Sequence, residues 1–115
     1  MKSFVREQLE HFLRAYDELQ NLQHKPLDEI VHDIIFYRSL ERLIGIMAIT
    51  TIRLKKHNPD WNIPYYKIML KLKNQVIWDF KPLKQSYISH ILSTVLPAVY
   101  DFFSQKNSQA QKNEI

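Results

Sequence analysis

The sequence has no cysteine and only one glycine, Gly45, in 115 residues. Without cysteine there is no disulfide, no thiol nucleophile and no cysteine-ligated zinc or iron–sulfur centre. One glycine excludes a glycine-rich phosphate loop and a Rossmann fingerprint, and it argues against turn-rich β architectures. No apolar run approaches the ~20 residues of a membrane span. The longest candidate, Leu43 to Ile52, carries Thr50 and Thr51. The start, Met1-Lys2-Ser3-Phe4-Val5-Arg6-Glu7, is charged where a secretion signal needs an unbroken apolar stretch, so a cytoplasmic location is expected. The sequence holds neither H-E-x-x-H nor G-x-S-x-G. Asp28 and His32 have ligand spacing but no third partner, so neither a metal nor a cofactor is expected.

What the chain does have is helical periodicity in a globular composition, 45% apolar and 24% charged. Val5, Leu9, Phe12, Tyr16 and Leu19 recur at three- and four-residue spacing, with Leu13 and Leu22 at the stripe edge. Leu27, Ile30, Val31, Ile34 and Ile35 open a second run, continued by Leu40, Leu43, Ile44, Met47 and Leu54. A break near Phe36–Ser39 would bring that run to ordinary helix length. From Leu43 to Ile52 apolar residues nearly encircle the helix, which predicts a central position touched from several sides.

The stretch Asn58-Pro59-Asp60-Trp61-Asn62-Ile63-Pro64 reads as a loop, with Asn58 ending one helix in the left-handed conformation and Pro64 opening the next. The third long helix then runs to about Phe80, with Tyr65, Ile68, Met69, Leu72 and Val76 facing inward. After Pro82, the residues Leu83, Tyr87, Ile88, Ile91, Val95, Val99 and Phe102 keep helical spacing through Pro97, where a kink is expected. From Ser104 the chain is rich in Gln, Asn, Ser and Lys. The reading is therefore one domain over residues 1–103, an all-α antiparallel bundle of four to five helices, followed by a disordered tail over 104–115.

The formal charge of +4 is unevenly spread. Arg53, Lys55, Lys56, Lys67, Lys71, Lys73, Lys81 and Lys84 face only Asp60 and Asp79 within their stretch, a net of +6 against −2 for the remainder. Such a surface suits a polyanion or an acidic partner; a solvated lysine face gives the same pattern. On the third helix Lys67, Lys71, Asn74 and Trp78 fall on one stripe opposite Tyr65, Leu72 and Val76. Trp78 there needs a covering partner, either the last helix of this chain or another molecule, for which it is a candidate interface anchor.

Several segments resemble the HepT-like branch of the HEPN superfamily, bacterial all-α proteins known as toxin components. Ser39 to Ala48, through Arg53-Leu54, resembles the family's long central helix. Asn58 to Ile68 resembles its proline-containing loop and helix start, and Leu96-Pro97 followed by Val99 resembles the Leu-Pro of its last helix. The resemblance covers roughly residues 27 to 103. It implies a homodimer, RNA as the target and a nucleotidyltransferase-type partner.

The family's signature, R-N-x-x-x-H-x-Y, corresponds here to Lys73-Asn74-Gln75-Val76-Ile77-Trp78-Asp79-Phe80. Lysine keeps the charge of the signature arginine but loses its bidentate fork. Tryptophan cannot shuttle a proton near neutral pH as histidine does. Phe80 has no hydroxyl to carry a nucleotidyl group. The resemblance thus implies a HEPN-type scaffold without ribonuclease activity, a dimeric module contacting RNA or a protein partner. Two readings stand beside it. One is an active ribonuclease whose acid or base is His57 or His90; the other is an unrelated helical protein-interaction subunit.

Overall fold

The computed structural model describes residues 3–22, 26, 29, 33–78 and 85–113, with the backbone alone for 76–78, 85 and 110–113. Every regular element among them is helical. In chain order these are α1 (Ser3–Leu22), α2 (Ile34–His57), α3 (Tyr66–Trp78), α4 (Gln85–His90), a π-helical turn (Ile91–Val95) and α5 (Leu96–Asn113). Residues 27, 28 and 30–32, and the segment 79–84 with Phe80, Lys81 and Lys84, lie outside the described residues, as does the Asp28–His32 pair.

Helix α1 packs antiparallel to both of its long neighbours, as ring contacts and an ion pair show. Phe4 lies against His57 (4.3 Å between ring centroids) while Glu18 bonds Arg42, so α1 and α2 run in opposite directions. Phe12 meets Phe103 edge-on at 4.9 Å and Tyr16 stacks on Tyr100 at 4.2 Å, so α5 is antiparallel to α1 as well. The core stripe of α1 is as the spacing predicts, with Val5, Leu9, Phe12 and Leu19 buried and Tyr16 half-buried. Full burial of such a side chain contributes about 1.5–3 kcal/mol.

Within α2 the burial goes nearly all the way round. Leu43, Ile44, Gly45, Met47, Ala48, Thr50, Thr51 and Ile52 are all buried. Two hydroxyls therefore enter an apolar interior, and each is satisfied by the turn below it. Thr51 Oγ1 donates to the Met47 carbonyl at 2.7 Å, and Thr50 Oγ1 to Ile46 and Met47 at 2.9 and 3.1 Å. The helix is unbroken through Phe36–Ser39, and its start is fixed by Asp33. That carboxylate accepts from the Ile35 and Phe36 amides at 3.1 and 3.4 Å, satisfying two otherwise orphaned donors. Asp33→Ala is expected to lower stability by about 1 kcal/mol in chemical denaturation, with Asp33→Asn close to neutral.

Gln8 is the exception to polar satisfaction. It is buried, and its side-chain oxygen has no hydrogen-bond partner among the described residues. Gln8→Leu removes that uncompensated acceptor and keeps most of the volume, so the midpoint of urea unfolding should rise by an amount equivalent to about 1 kcal/mol.

Three local expectations are corrected. Asn58 does end α2, but at φ −133°, outside the left-handed region, and its amide Nδ2 donates to the Leu54 carbonyl at 3.0 Å. The left-handed residue is Tyr65 (φ 57°), which precedes α3 and is exposed, so it does not join the inward stripe. Met69 and Leu72 supply that stripe, both fully buried.

The third correction concerns the polar tail. Ser104 to Asn113 belong to α5, and residues 114–115 lie outside the described residues. Phe103 is fully buried against Phe12, and Lys106 Nζ lies 5.3 Å from both the Trp61 and Phe102 ring centres. These contacts tie the segment to α1 and to the α2–α3 loop. Just before them, Pro97 is accommodated by the wider π turn, in which the Leu96 amide reaches back five residues to Ile91. The turn absorbs the misfit that a proline imposes on a regular α-helix and leaves Val95 and Leu96 both fully buried.

Burial also raises the Tyr16 and Tyr87 hydroxyls above the ordinary tyrosine pKa, with Asp101, Tyr100 and Asp17 adding to the effect at Tyr16. The folded state thus holds these phenolic protons more tightly than the unfolded chain does. That contribution is complete below the ordinary tyrosine value of about pH 10 and is lost as pH rises from there through the raised values of the folded state. Tyr16→Phe with Tyr87→Phe should flatten the decline in thermal midpoint between neutral and strongly alkaline buffer.

Candidate functional site

The fold sorts the described basic residues from Arg53 to Lys73, with Arg14 and Arg42, into three environments. Lys55 is a structural cation. Its Nζ donates to the Pro59 and Trp61 carbonyls at 2.7 and 2.8 Å and lies 5.9 Å from the Tyr66 ring centre. A lysine holding two carbonyls of a tight loop is committed to that loop. With Asn62, Ile63, Tyr65, Tyr66, Lys67 and Ile68 it borders a hollow of about 470 Å³ where the loop meets α3.

The second environment is the outer face of α3. Lys67, Lys71 and Asn74 are exposed, opposite buried Leu72, as the helical stripe predicts. Lys73, the signature-arginine position, is half-buried. Lys56, at the C-terminal end of α2, is also exposed. Among the described residues none of Lys56, Lys67, Lys71 and Lys73 forms an ion pair. Trp78 is the last residue of α3; its side chain and all of Phe80 lie outside what is described.

The third environment was not anticipated as a site. A groove of about 400 Å³ runs between α1 and α2, and Arg53 belongs to it. Its apolar floor is Ala15, Leu43, Ile46 and Ile49; Thr50 and the polar rim of His11, Arg14, Glu18, Arg42 and Arg53 complete it. Arg42 Nη2 donates to Glu18 at 3.1 Å, whereas Arg14 and Arg53 are exposed with no carboxylate partner among the described residues. The sequence signal was there in Arg42, Ile46, Ile49 and Arg53, spaced i, i+4, i+7 and i+11 on one face of α2. It needed the matching face of α1 to become a groove.

Among the described residues the histidines, His11, His57 and His90, do not come together as a catalytic array. His57 is exposed beside Phe4, and His90 is exposed with its ring 6.4 Å from that of Tyr65. His11 Nε2 lies 4.0 Å from Glu7 on the α1 surface. Among the described residues no three His, Cys, Asp or Glu side chains cluster as metal ligands would, and no helix is long and apolar enough to cross a membrane. In comparisons with protein-family models, curated proteins and solved structures, nothing matches the chain.

Proposed function

We propose that the protein is a HEPN-type helical binding module without ribonuclease chemistry, which contacts RNA through the outer face of α3. The observation that carries this reading is the exposed row Lys67, Lys71 and Asn74 on α3, without an ion pair among the described residues, beside Lys73 at the signature-arginine position. Unpaired lysines about one helical turn apart match the repeat of a phosphate backbone and release its counterions on binding. Asn74, the one signature residue retained, adds an amide that can donate to a phosphate or base edge. In this reading Lys55 supports the surface by holding the loop that leads into α3. The dimer that the resemblance implies is assigned to the C-terminal turn of α3, which carries Trp78.

The absence of a proton-transfer group in the signature supports binding in place of cleavage. Tryptophan and phenylalanine at the histidine and tyrosine positions offer neither an acid nor a base near neutral pH. Binding of a labelled single-stranded RNA, followed by fluorescence anisotropy across a salt series, tests the reading. Affinity should fall steeply with salt, and Lys67→Glu with Lys71→Glu should weaken it. Affinity that is independent of salt or of these two lysines would remove the basis for it.

A further inference from the structure

We propose that the groove between α1 and α2 is the docking site for an acidic amphipathic helix of a partner protein. The groove is separate from the α3 face, so this inference does not rest on the RNA reading. Three features select the occupant.

The first is shape. Arg42 and Arg53 stand eleven positions apart on α2, about 16 Å along the helix axis at 1.5 Å per residue. A single small anion engages one end of such a groove and leaves the other empty. About three turns of helix span it, the geometry of helix-in-groove recognition, in which apolar side chains on one stripe enter a hydrophobic trough.

The second is the lining. Among the described residues, Ala15, Leu43, Ile46 and Ile49 give an aliphatic floor with no Phe, Tyr or Trp. Single-stranded nucleic acid binds through phosphates together with aromatic platforms for its bases. This floor offers no platform, but leucine or isoleucine side chains from a helix fill it.

The third is charge. Among the described residues the rim carries three arginines, with His11 beside them, against one carboxylate, Glu18, which is already engaged by Arg42. Arg14 on the α1 wall and Arg53 on the α2 wall are exposed without an acidic partner among the described residues. They flank the apolar floor on both sides, so an incoming helix needs carboxylates on both edges of its apolar stripe. A guanidinium pairs with a carboxylate in bidentate fashion, which fixes the register of such a helix as well as its affinity.

The test uses the full chain and a fluorescein-labelled synthetic peptide of about 14 residues, roughly four helical turns. Leucines recur every third or fourth position, flanked by glutamates. Saturable anisotropy at micromolar protein is expected, weakened at least tenfold in an Arg14→Glu, Arg53→Glu double variant and unchanged in Lys67→Glu, Lys71→Glu. Both arginines are exposed, and an unchanged thermal midpoint shows that the variant has folded. Three results overturn the proposal: no saturation, equal binding of a scrambled peptide of the same composition, or equal loss in the α3 variant. A fourth is the loss of self-association in the arginine variant on sedimentation, which makes the groove an interface between copies of this chain.

Discussion

Phe103→Ala is expected to destabilise the protein by about 3–5 kcal/mol, the usual range for deleting a fully buried phenylalanine. Phe103 has no solvent exposure and sits where three parts of the chain converge. Its ring meets Phe12 of α1 at 4.9 Å, Phe102 at 5.7 Å and Trp61 of the α2–α3 loop at 6.3 Å. Alanine removes apolar contact from all three and leaves a cavity that helices anchored elsewhere cannot close. Since domains of this size are stable by about 5–15 kcal/mol, the loss takes up a large part of the total. Phe102→Ala provides the comparison, because that ring is only half-buried and should cost clearly less. Urea unfolding of the two variants measures the difference. A Phe103→Ala cost below about 1 kcal/mol would contradict the packing of α5 described above.

The second large effect is expected at the α3 surface. Reversing Lys67 and Lys71 to glutamate removes two cations and adds two anions along the path assigned to the RNA backbone. Affinity for single-stranded RNA in low-salt buffer should drop at least tenfold. The dependence of log affinity on log salt should become shallower by about 1.4, or about 0.7 for each lost phosphate contact on a single strand. Neither side chain is buried, so far-ultraviolet circular dichroism and thermal midpoint should be unchanged. Equal loss on reversing Arg14 and Arg53 would indicate a response to net charge alone, with no particular role for α3.

Much of this architecture could be read from spacing alone. The α1 stripe and the all-round burial of α2 follow from periodicity, because a side chain's position on a helix is set by its own segment. The loop from Asn58 to Pro64 was marked by its two prolines. The features that escaped depend on distant parts of the chain meeting. The polar residues after Ser104 look like a solvated tail until Phe103 and Lys106 are seen against Phe12 and Trp61. Tyr65 fits the α3 period, and its left-handed backbone moves it out of the stripe.

The candidate site divides in the same way. The exposed lysines of α3 were legible because a helical stripe is a local property. Lys55 counted as one more surface cation in the sequence, and only the folded loop shows its ammonium group held by two carbonyls. Arg53 was grouped with the lysines that follow it in sequence, whereas the packing of α1 on α2 places it in a groove with Arg14 and Arg42. Charge counting along a chain cannot distinguish these fates, since each depends on which helix face a neighbour covers.

The central claim, binding without cleavage, is tested most directly by incubating the purified protein with end-labelled single-stranded RNA and resolving bound and free RNA before and after deproteinisation. The account predicts a salt-sensitive complex from which the RNA is recovered at full length, with the shift lost when Lys67 and Lys71 become glutamate. RNA recovered as fragments by the intact protein, but whole after Lys73→Ala, would contradict it.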